Sequence, residues 1–350
     1  MAKKILAINP GATSTKVAVY DHDKLLFSDE ILHDLATVNQ FETIPQQLPF
    51  RLATIHQILE KQHIQLTDLD AVVGRGGALP PVKAGGYLVT EKMMDYLLYE
   101  TINQHVSNLG AVLAYQLAEE GQALPLVYDC VSVDQMWPIS RVSGLKGMER
   151  KSLGHILNSR ASGIKYCQQN GLDYHKQTLI VVHMGSGTTT SIHVNGEIAD
   201  LISDDEGPMA VERTGGLPIH QVINWCYQYS KKEMLTFYKR QGGLVSYFDT
   251  NDARKIEARI ADSPQEKVIY DAMIYQLAKG IASLATLVAG RVDQIVLTGG
   301  LAYSAYVTAD LTKRIDFIAP VSLEPGENEL EALAMGGLRI LQKQEVLHEF

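Results

Sequence analysis

The sequence predicts an α/β protein built from two related domains, on the basis of three observations. First, residues 5–21 read as an apolar strand, a turn of small polar residues and an alternating strand, and the same order returns at residues 178–198. Second, each copy is followed by an acidic residue, a β-branched run and a glycine pair, at 70–77 and 293–300. That pattern is typical of a buried parallel strand that ends at a close backbone approach. Third, helical patterns lie between and after these strands, so each half places antiparallel strands before β-α alternation.

The turn in the first copy, Pro10 to Lys16, differs from the helix-based phosphate loops. A P-loop needs G-x-x-x-x-G-K-[ST] before a helix, and a dinucleotide fingerprint needs G-x-G-x-x-G before a helix. Here Lys16 is followed by VAVYD, which alternates like a strand. In the second copy the turn reads GSGTTT, and Asn195-Gly196 then predicts a type I′ hairpin. We expect such turns to bind phosphate through backbone N–H groups and hydroxyls.

The chain length of 350 residues suits two domains. We place an N-terminal domain at 1–152 and a C-terminal domain at 153–334, with a final helix at 335–350 packing back on the first domain. The two domains are expected to face each other across a cleft and to close about hinges near residues 150 and 335.

Composition argues against several functions. The formal charge of −9 repels a nucleic-acid backbone, and the three cysteines lack the spacing of zinc or redox motifs. The longest apolar run, IASLATLVAG, is about half of a membrane span. The apolar run at the N-terminus stops at Asn9-Pro10-Gly11, too early for a signal peptide. The sequence therefore predicts a cytoplasmic protein with no nucleic-acid or membrane partner.

Six segments, taken together and in order, carry a family resemblance: INPGATSTK, GRGG, HMGSGTTT, ERTGGLP, LTGGLAYS and ENELEALA. From about residue 4 to 340 the chain resembles the acetate and butyrate kinase family of the actin-like phosphotransferase superfamily. Its start, its end and its length are most similar to the butyrate kinase members. The resemblance implies two duplicated actin-like (ribonuclease H-like) domains facing a nucleotide cleft. It also implies ATP and ADP as nucleotides, Mg²⁺, reversible direct in-line phosphorylation of a short-chain carboxylate to an acyl phosphate, and a homo-oligomer, dimer or higher.

The resemblance also assigns site residues. The catalytic set is Arg75, Asp129, Arg213 and His155. The nucleotide-binding set is Asn9, Ser14, Lys16, His183, Gly185, Ser186, Gly187, Gly299 and Gly300. Glu329 is the metal-associated residue, with Glu327 and Glu331 left open beside it. Ala12 and Gly74 replace a hydroxyl residue and a histidine that are common in acetate kinases, which argues against acetate as the substrate.

The residues themselves suit this chemistry. A carboxylic acid is ionised at neutral pH and needs cations rather than a general base, and arginine binds carboxylate and phosphate in bidentate fashion. Arg75 and Arg213 both stand in glycine-rich segments and could neutralise that charge, although Arg75 could instead form a surface salt bridge and Arg213 could pair with the SDDEG run. Asp129 could act as a base, which would suit a sugar kinase. An actin-like or chaperone-like nucleotide switch is the third possibility.

Overall fold

The structure is a computed structural model that describes residues 3–101 and 104–350. The chain divides into two compact units. Unit 1 runs to Asp134 and takes up the chain again from Asn328 to Phe350, and unit 2 is Gln135–Glu327. The boundaries predicted from the sequence, after residues 152 and 334, lie further along the chain and remain predictions, as do the hinges.

The strands, in chain order, are β1 (Lys4–Gly11), β2 (Ser14–Asp21), β3 (Lys24–Leu32), β4 (Ala71–Arg75), β5 (Gly86–Leu88), β6 (Leu124–Tyr128), β7 (Thr178–Met184), β8 (Thr188–Val194), β9 (Glu197–Ile202), β10 (Gln294–Gly299), β11 (Val321–Pro325) and β12 (Leu347–His348). The α-helices are α1 (Leu35–Val38), α2 (Leu48–Lys61), α3 (Glu91–Asp95), α4 (Leu109–Gly121), α5 (Pro138–Arg141), α6 (Ile156–Gln169), α7 (Ile219–Cys226), α8 (Lys231–Lys239), α9 (Val245–Phe248), α10 (Ala253–Ile260), α11 (Pro264–Ala285), α12 (Ala305–Ile315) and α13 (Glu329–Leu341).

Unit 1 contains a mixed sheet with the strand order β12-β5-β6-β4-β1-β2-β3 within its described residues. Strands β1, β2 and β3 form the antiparallel meander that the opening stretch predicts. Strand β4 then pairs in parallel with β1, and β6 pairs in parallel with β4. The short strand β12 adds a parallel edge next to β5.

Unit 2 repeats this arrangement in the order β11-β10-β7-β8-β9. Its meander is β7-β8-β9, and β10 and β11 extend the sheet in parallel from β7. The predicted type I′ turn between β8 and β9 is confirmed, because Asn195 and Gly196 have φ values of 52° and 87°. Two duplicated α/β domains, the fold class predicted from the sequence, are therefore confirmed.

Alternating side chains build the core of each unit. In β7, Ile180, Val182 and Met184 pack with α11 and α12 on one face, whereas Leu179 and Val181 face α6 on the other. In unit 1 the corresponding layers are α2 and α4 on one face of the sheet and α13 on the other. The long helical pattern that sequence left as core or interface, α11, is buried along one face from Tyr270 to Ala285.

The segment 216–262, which the sequence analysis did not assign, forms α7 to α10. Helix α7 has no buried residue, and Ile219, Ile223 and Trp225 are exposed on it. In the described ranges, no helix combines the length and the apolar character that crossing a membrane requires.

Candidate active site

The first meander positions Asn9, Ser14 and Lys16 around one two-residue turn. Asn9 and Ser14 are buried, and Asn9 lies opposite Lys16 in the β1–β2 register. Lys16 in turn lies opposite Glu30 on β3, and its Nζ is 3.4 Å from Glu30 Oε1. Directly opposed residues share a face of a sheet, so Asn9 and Lys16 project on the same side.

Two predicted residues of unit 1 converge on Glu329, the first residue of α13. Arg75 Nη1 donates to Glu329 Oε1, and Asn9 Nδ2 donates to Glu329 Oε2. Arg75 ends β4 and Asn9 lies on the neighbouring strand β1, so the sheet brings both to the start of α13. The pair is partly exposed, with side-chain accessibilities of 30% for Arg75 and 23% for Glu329. A guanidinium, an amide and a carboxylate therefore meet at one point that solvent can reach.

The glycine before Arg75 has a packing explanation. A Cβ on Gly74 would collide with the carbonyl of Gly110 in α4, and a Cβ on Gly110 would collide with the carbonyl of Arg75. Two glycines thus allow α4 to approach β4 closely, which fixes the backbone that carries Arg75.

Asp129 follows β6 directly and is 3% exposed. Its φ of 42° lies in the left-handed region, which Asp tolerates better than most residues. Its Oδ1 accepts the N–H of Gly85 at 2.8 Å, and its own N–H donates to the Gly85 carbonyl at 3.1 Å. The loop before β5 therefore fixes the carboxyl group beside the end of the parallel strands, where open α/β sheets bind ligands.

In unit 2 the turn Gly185–Gly187 joins β7 to β8, as predicted from the sequence. Gly185 N–H donates to the Gly187 carbonyl at 2.9 Å. His183, the penultimate residue of β7, is fully buried, and its Nε2 lies 3.2 Å from Glu327 Oε1 without hydrogen-bond geometry. A Cβ on Gly185 would lie 2.7 Å from the same Glu327 oxygen. Glu327, one of the open alternatives to Glu329, thus belongs to the unit 2 turn.

His155 lies against His183. The two rings stack with centroids 4.3 Å apart and an interplanar angle of 23°. His155 Nδ1 is 2.8 Å from Thr189 Oγ1, and the same hydroxyl accepts the backbone N–H of His155 at 3.1 Å. Thr189, on β8, therefore orients the imidazole ring of His155 over that of His183. The structure brings together these two predicted residues, which are distant in sequence.

Arg213 is held by the acidic run that precedes it. Its Nε is 3.4 Å from Asp204 Oδ2, and its Nη1 donates to the Lys239 carbonyl. Asp204 also accepts the N–H of Thr188 at 2.8 Å. Burial raises the pKa of Asp204, and the Thr188 N–H and the Arg213 charge oppose that shift. The alternative that the sequence left open for Arg213, pairing with the SDDEG carboxylates, is therefore observed.

Asp204 is a residue that sequence analysis did not single out. A Cβ on Gly187 would lie 2.8 Å from both Asp204 carboxylate oxygens, so this glycine allows the carboxylate to reach the turn. The only available signal was the density of acids in SDDEG, which does not distinguish Asp204 from Asp205 or Glu206.

Arg150, which sequence analysis also did not single out, holds the loop that contains the SDDEG run. Its guanidinium donates to both carboxylate oxygens of Glu206, to Asp200 Oδ1 and to the carbonyls of Ser140 and Leu201. Glu206 raises the pKa of Arg150 further. Arg150 thus joins the loop that contains Asp204, the partner of Arg213, to β9.

Gly299 ends β10 and Gly300 follows it, but the structure gives them different surroundings. Gly299 has a φ of 88°, and a Cβ there would collide with the backbone of Met184. Among the described residues, no heavy atom outside the chain neighbours of Gly300 lies within 4 Å of a Cβ placed there. Packing explains the first glycine, and open space at the second fits a ligand that approaches the backbone.

A divalent metal would have to use few protein ligands. Within the described ranges no three His, Cys, Asp or Glu side chains converge as a metal cluster. Mg²⁺ usually keeps several waters and binds through one or two carboxylates together with substrate phosphates. Glu329 offers such a carboxylate at the partly exposed Arg75 and Asn9 cluster, so the residues fit a Mg²⁺ that arrives with a nucleotide.

Comparison with known structures supports the fold. The chain is similar to an acetate kinase from Porphyromonas gingivalis, with a TM-score of 0.79 at 17% identity over 97% of this chain and 100% of that one. An acetate kinase from Entamoeba histolytica aligns with a TM-score of 0.77 at 17% identity, covering 99% of both chains. A propionate kinase from Francisella tularensis subsp. tularensis aligns with a TM-score of 0.74 at 15% identity, covering 95% of this chain and 98% of that one. The actin-like, two-domain fold expected from the sequence is thereby confirmed.

The sequence itself also matches a family. The profile described as the acetokinase family matches residues 164–338, half of the chain, and this range contains His183, the Gly185–Gly187 turn, Arg213 and Glu329. The protein therefore belongs to the acetokinase family.

Proposed function

We propose that this protein transfers the γ-phosphoryl group of ATP to a short-chain carboxylate, with butyrate as the preferred acid, and that it runs in both directions. A carboxylate oxygen attacks the γ-phosphorus in line, the bond to the β-bridging oxygen breaks, and an acyl phosphate and ADP are formed. No proton needs to be removed from the acid, because it is already ionised at neutral pH. Family membership supports a carboxylate kinase. The INPG and ENELEALA segments favour butyrate, and Ala12 and Gly74 argue against acetate.

The convergence of Arg75 and Asn9 on Glu329 is the observation that supports this proposal most strongly. Phosphoryl transfer depends chiefly on positioning and on neutralising charge at the transferred group. We assign Arg75 to the anionic acid and the transferred phosphoryl group. Its contact with Glu329 holds the guanidinium in place before substrate arrives.

In unit 2 we assign Arg213 to the developing charge of the transition state, with Asp204 as its support. The turn Gly185–Gly187 and His183 are assigned to the nucleotide phosphates. His155, stacked on His183, is assigned to the support of the transition state. Asp129 positions the reacting groups rather than removing a proton, since the substrate has none to lose.

Bound Mg²⁺ would neutralise charge on the nucleotide phosphates. Glu329 is the residue that we propose to associate with it, through a carboxylate that Asn9 and Arg75 orient.

Hydroxylamine trapping tests the proposal. Purified protein is incubated with MgATP, hydroxylamine and one acid from the series acetate, propionate, butyrate, isobutyrate, and kcat/KM is measured for each. We expect a hydroxamate, with butyrate giving the highest kcat/KM. Neighbouring acids should differ by about 1 to 3 kcal/mol, since each methylene in an apolar pocket contributes about that much.

Two results would contradict the proposal. Phosphorylation of a sugar with no hydroxamate from any acid would indicate a sugar kinase in which Asp129 serves as base. Rapid ATP hydrolysis that butyrate does not alter would indicate a nucleotide switch. A higher kcat/KM for acetate than for butyrate would leave the carboxylate kinase intact and overturn only the choice of acid.

We also propose that the protein is a homo-oligomer, as the family resemblance implies. The exposed apolar residues of α7 support this proposal. Light scattering coupled to gel filtration measures the molar mass. A mass of 38.6 kDa, that of one chain, at micromolar concentration would contradict it.

A further inference from the structure

Arg51, on α2, is fully buried and binds the back of the β1–β2 turn. Its Nη2 donates to the carbonyls of Gly11 at 2.9 Å and Ala12 at 3.4 Å. Its Nη1 donates to the carbonyl of Ser14 at 2.8 Å and to Thr15 Oγ1 at 3.1 Å. One guanidinium thus binds three of the four carbonyls from Gly11 to Ser14.

The acceptors of this guanidinium in the described residues are all neutral. Besides the turn, Nε and Nη2 donate to Gln47 Oε1 at 3.1 and 3.0 Å. Burial lowers the pKa of Arg51 to about 10, so the side chain remains charged at neutral pH. A buried cation is costly unless its donors are well satisfied, and here neutral oxygens satisfy them. A positive charge therefore lies directly behind the turn.

The turn needs this support because its own geometry is unfavourable. Gly11 pairs with Ser14, so Ala12 and Thr13 form a two-residue loop. Two-residue hairpin loops favour type I′ or II′ turns, which need a positive φ, because only these match the twist of the strands. Neither Ala12 nor Thr13 has a positive φ. The β8–β9 turn, in contrast, has the favoured type I′ geometry at Asn195 and Gly196.

The direction of the carbonyls determines the direction of the N–H groups. In a trans peptide the carbonyl of one residue and the N–H of the next point to opposite sides. Because the carbonyls of Gly11 and Ala12 point towards Arg51, the N–H groups of Ala12 and Thr13 point away from it. In residues 3–101 and 104–350 neither N–H has an acceptor. Successive N–H groups directed to one side form an anion-binding concavity.

We propose that Arg51 is a positioning residue that directs the Ala12 and Thr13 N–H groups towards the terminal phosphates of the nucleotide. This inference rests on the proposed function, in which the same turn binds the phosphate chain. Arg51 itself touches no substrate, because it is buried behind the turn. Its contribution is to hold the turn in one conformation and to add positive charge to its surroundings.

The test compares Arg51→Met and Arg51→Lys with Thr54→Val as the matched control. Thr54 is also a largely buried polar residue of α2, but it donates to the Phe50 carbonyl and does not touch the turn. Calorimetry gives the Kd for ADP, and steady-state kinetics give KM for ATP and for butyrate. Hydrogen exchange over residues 8–18, measured without ligand, reports on the turn itself.

We expect Arg51→Met to bind ADP about 30-fold more weakly, the loss typical of a charged hydrogen-bond donor. KM for ATP should rise in parallel, while KM for butyrate stays unchanged. Arg51→Lys should lose only about fivefold, since lysine keeps the charge but not the planar fork. Exchange over residues 8–18 should be faster in both variants, and Thr54→Val should match the wild type in every measurement.

A folded Arg51→Met that binds ADP like the wild type would overturn the inference, whether or not exchange in the turn increases. If Arg51→Met does not fold, Gln47→Leu replaces it, because this change removes the oxygen that aligns the guanidinium. We then expect ADP binding to weaken about fivefold, and unchanged binding would overturn the inference. A wild type that binds ADP but gives no hydroxamate with any acid would refute the carboxylate kinase, yet the ADP comparison would still decide the role of Arg51.

Discussion

Arg75 and Glu329 pair directly although 254 positions separate them in the chain. The contact exists because the C-terminal end of β4, where Arg75 lies, meets the start of α13. It joins a residue assigned to the substrate anion with the residue assigned to the metal. A substitution at Arg75 is therefore expected to alter the function of Glu329, and a substitution at Glu329 that of Arg75.

Arg75→Ala should lower kcat for hydroxamate formation by about 10³, or about 4 kcal/mol, if Arg75 neutralises charge in the transition state. Arg314→Ala is the control, since Arg314 pairs with Asp310 at i,i+4 on α12 and lies over the Tyr275 ring, and neither partner is assigned to the site. The double variant with Glu329→Ala should lose less than the sum of the single losses, because the two side chains are in contact. A tenfold rise confined to KM for the acid would assign Arg75 to substrate binding alone.

The raised pKa of Asp204 predicts that acidification has opposite effects on kcat and on the free energy of unfolding. Its raised pKa means that it takes up a proton at a higher pH than an ordinary aspartate does. As the pH falls through that value, Arg213 loses its carboxylate partner, so wild-type kcat should fall on the acid side. Asp204→Asn should have a lower kcat near neutrality and should lack this acid limb.

The unfolded chain ionises Asp204 at a lower pH than the native state does, so the ionised group costs native stability at neutral pH. On acidification through the native pKa that cost disappears. The free energy of unfolding of the wild type, measured relative to Asp204→Asn, should therefore rise between neutral pH and the ordinary aspartate range. Urea titrations at several pH values measure this difference, and a relative fall on acidification would contradict the sign.

Gly299 and Gly300 should respond differently to alanine. Gly299→Ala should reduce the free energy of unfolding by about 3 kcal/mol, since its positive φ and the Met184 backbone leave no room for a side chain. Gly300→Ala should unfold at the wild-type temperature, because its Cβ position is open. If adenosine approaches the backbone there, KM for ATP should rise about tenfold with kcat unchanged. Wild-type kinetics in Gly300→Ala would remove that glycine from the nucleotide site.

Asp129→Asn separates charge from conformation. Asparagine tolerates the left-handed backbone and can still accept the Gly85 N–H, so the melting temperature should stay close to that of the wild type. The loss of the negative charge should lower kcat about 100-fold. Asp129→Ala should lower kcat and also reduce the free energy of unfolding by about 2 kcal/mol, because the buried Gly85 N–H loses its acceptor. Equal kcat for Asp129→Asn and wild type would give Asp129 a purely structural role.

The sequence predicted the repeated meander because local signals agree with the fold. Alternation around Asn195-Gly196 predicts β8 and β9, and the apolar runs before Gly74 and Gly299 predict the parallel strands. These features depend on neighbouring residues alone, and local pattern is where sequence reasoning is most informative.

The residues that hold the site residues in place could not be predicted from local sequence pattern. Arg51 and Asp204 act through contacts with groups distant in sequence or across a turn, and their own segments carry no motif. Thr189 lies in the HMGSGTTT segment, but that motif does not indicate its contact with His155. The segment from α7 to α10 has helical capping signals such as Ser230 with Glu233, but α7 and α8 have no buried residue, so no core pattern marked these two helices. Tertiary contacts of this kind follow from the fold and not from local spacing.

Unit 1 is assembled from two separate stretches of chain, and this determines the order in which the protein can mature on the ribosome. Helix α13 packs on β1 and β4, where a Cβ on Gly337 would lie 2.6 Å from Val73, and β12 completes the edge beside β5. Synthesis reaches these residues only after unit 2, which comes from one continuous stretch. Unit 2 can therefore bury its core before α13 has been synthesised and can pack on the part of unit 1 that ends at Asp134. A nascent chain that stalls before Asn328 should expose the apolar underside of β1 and β4 to chaperones, with Arg75 still lacking Glu329.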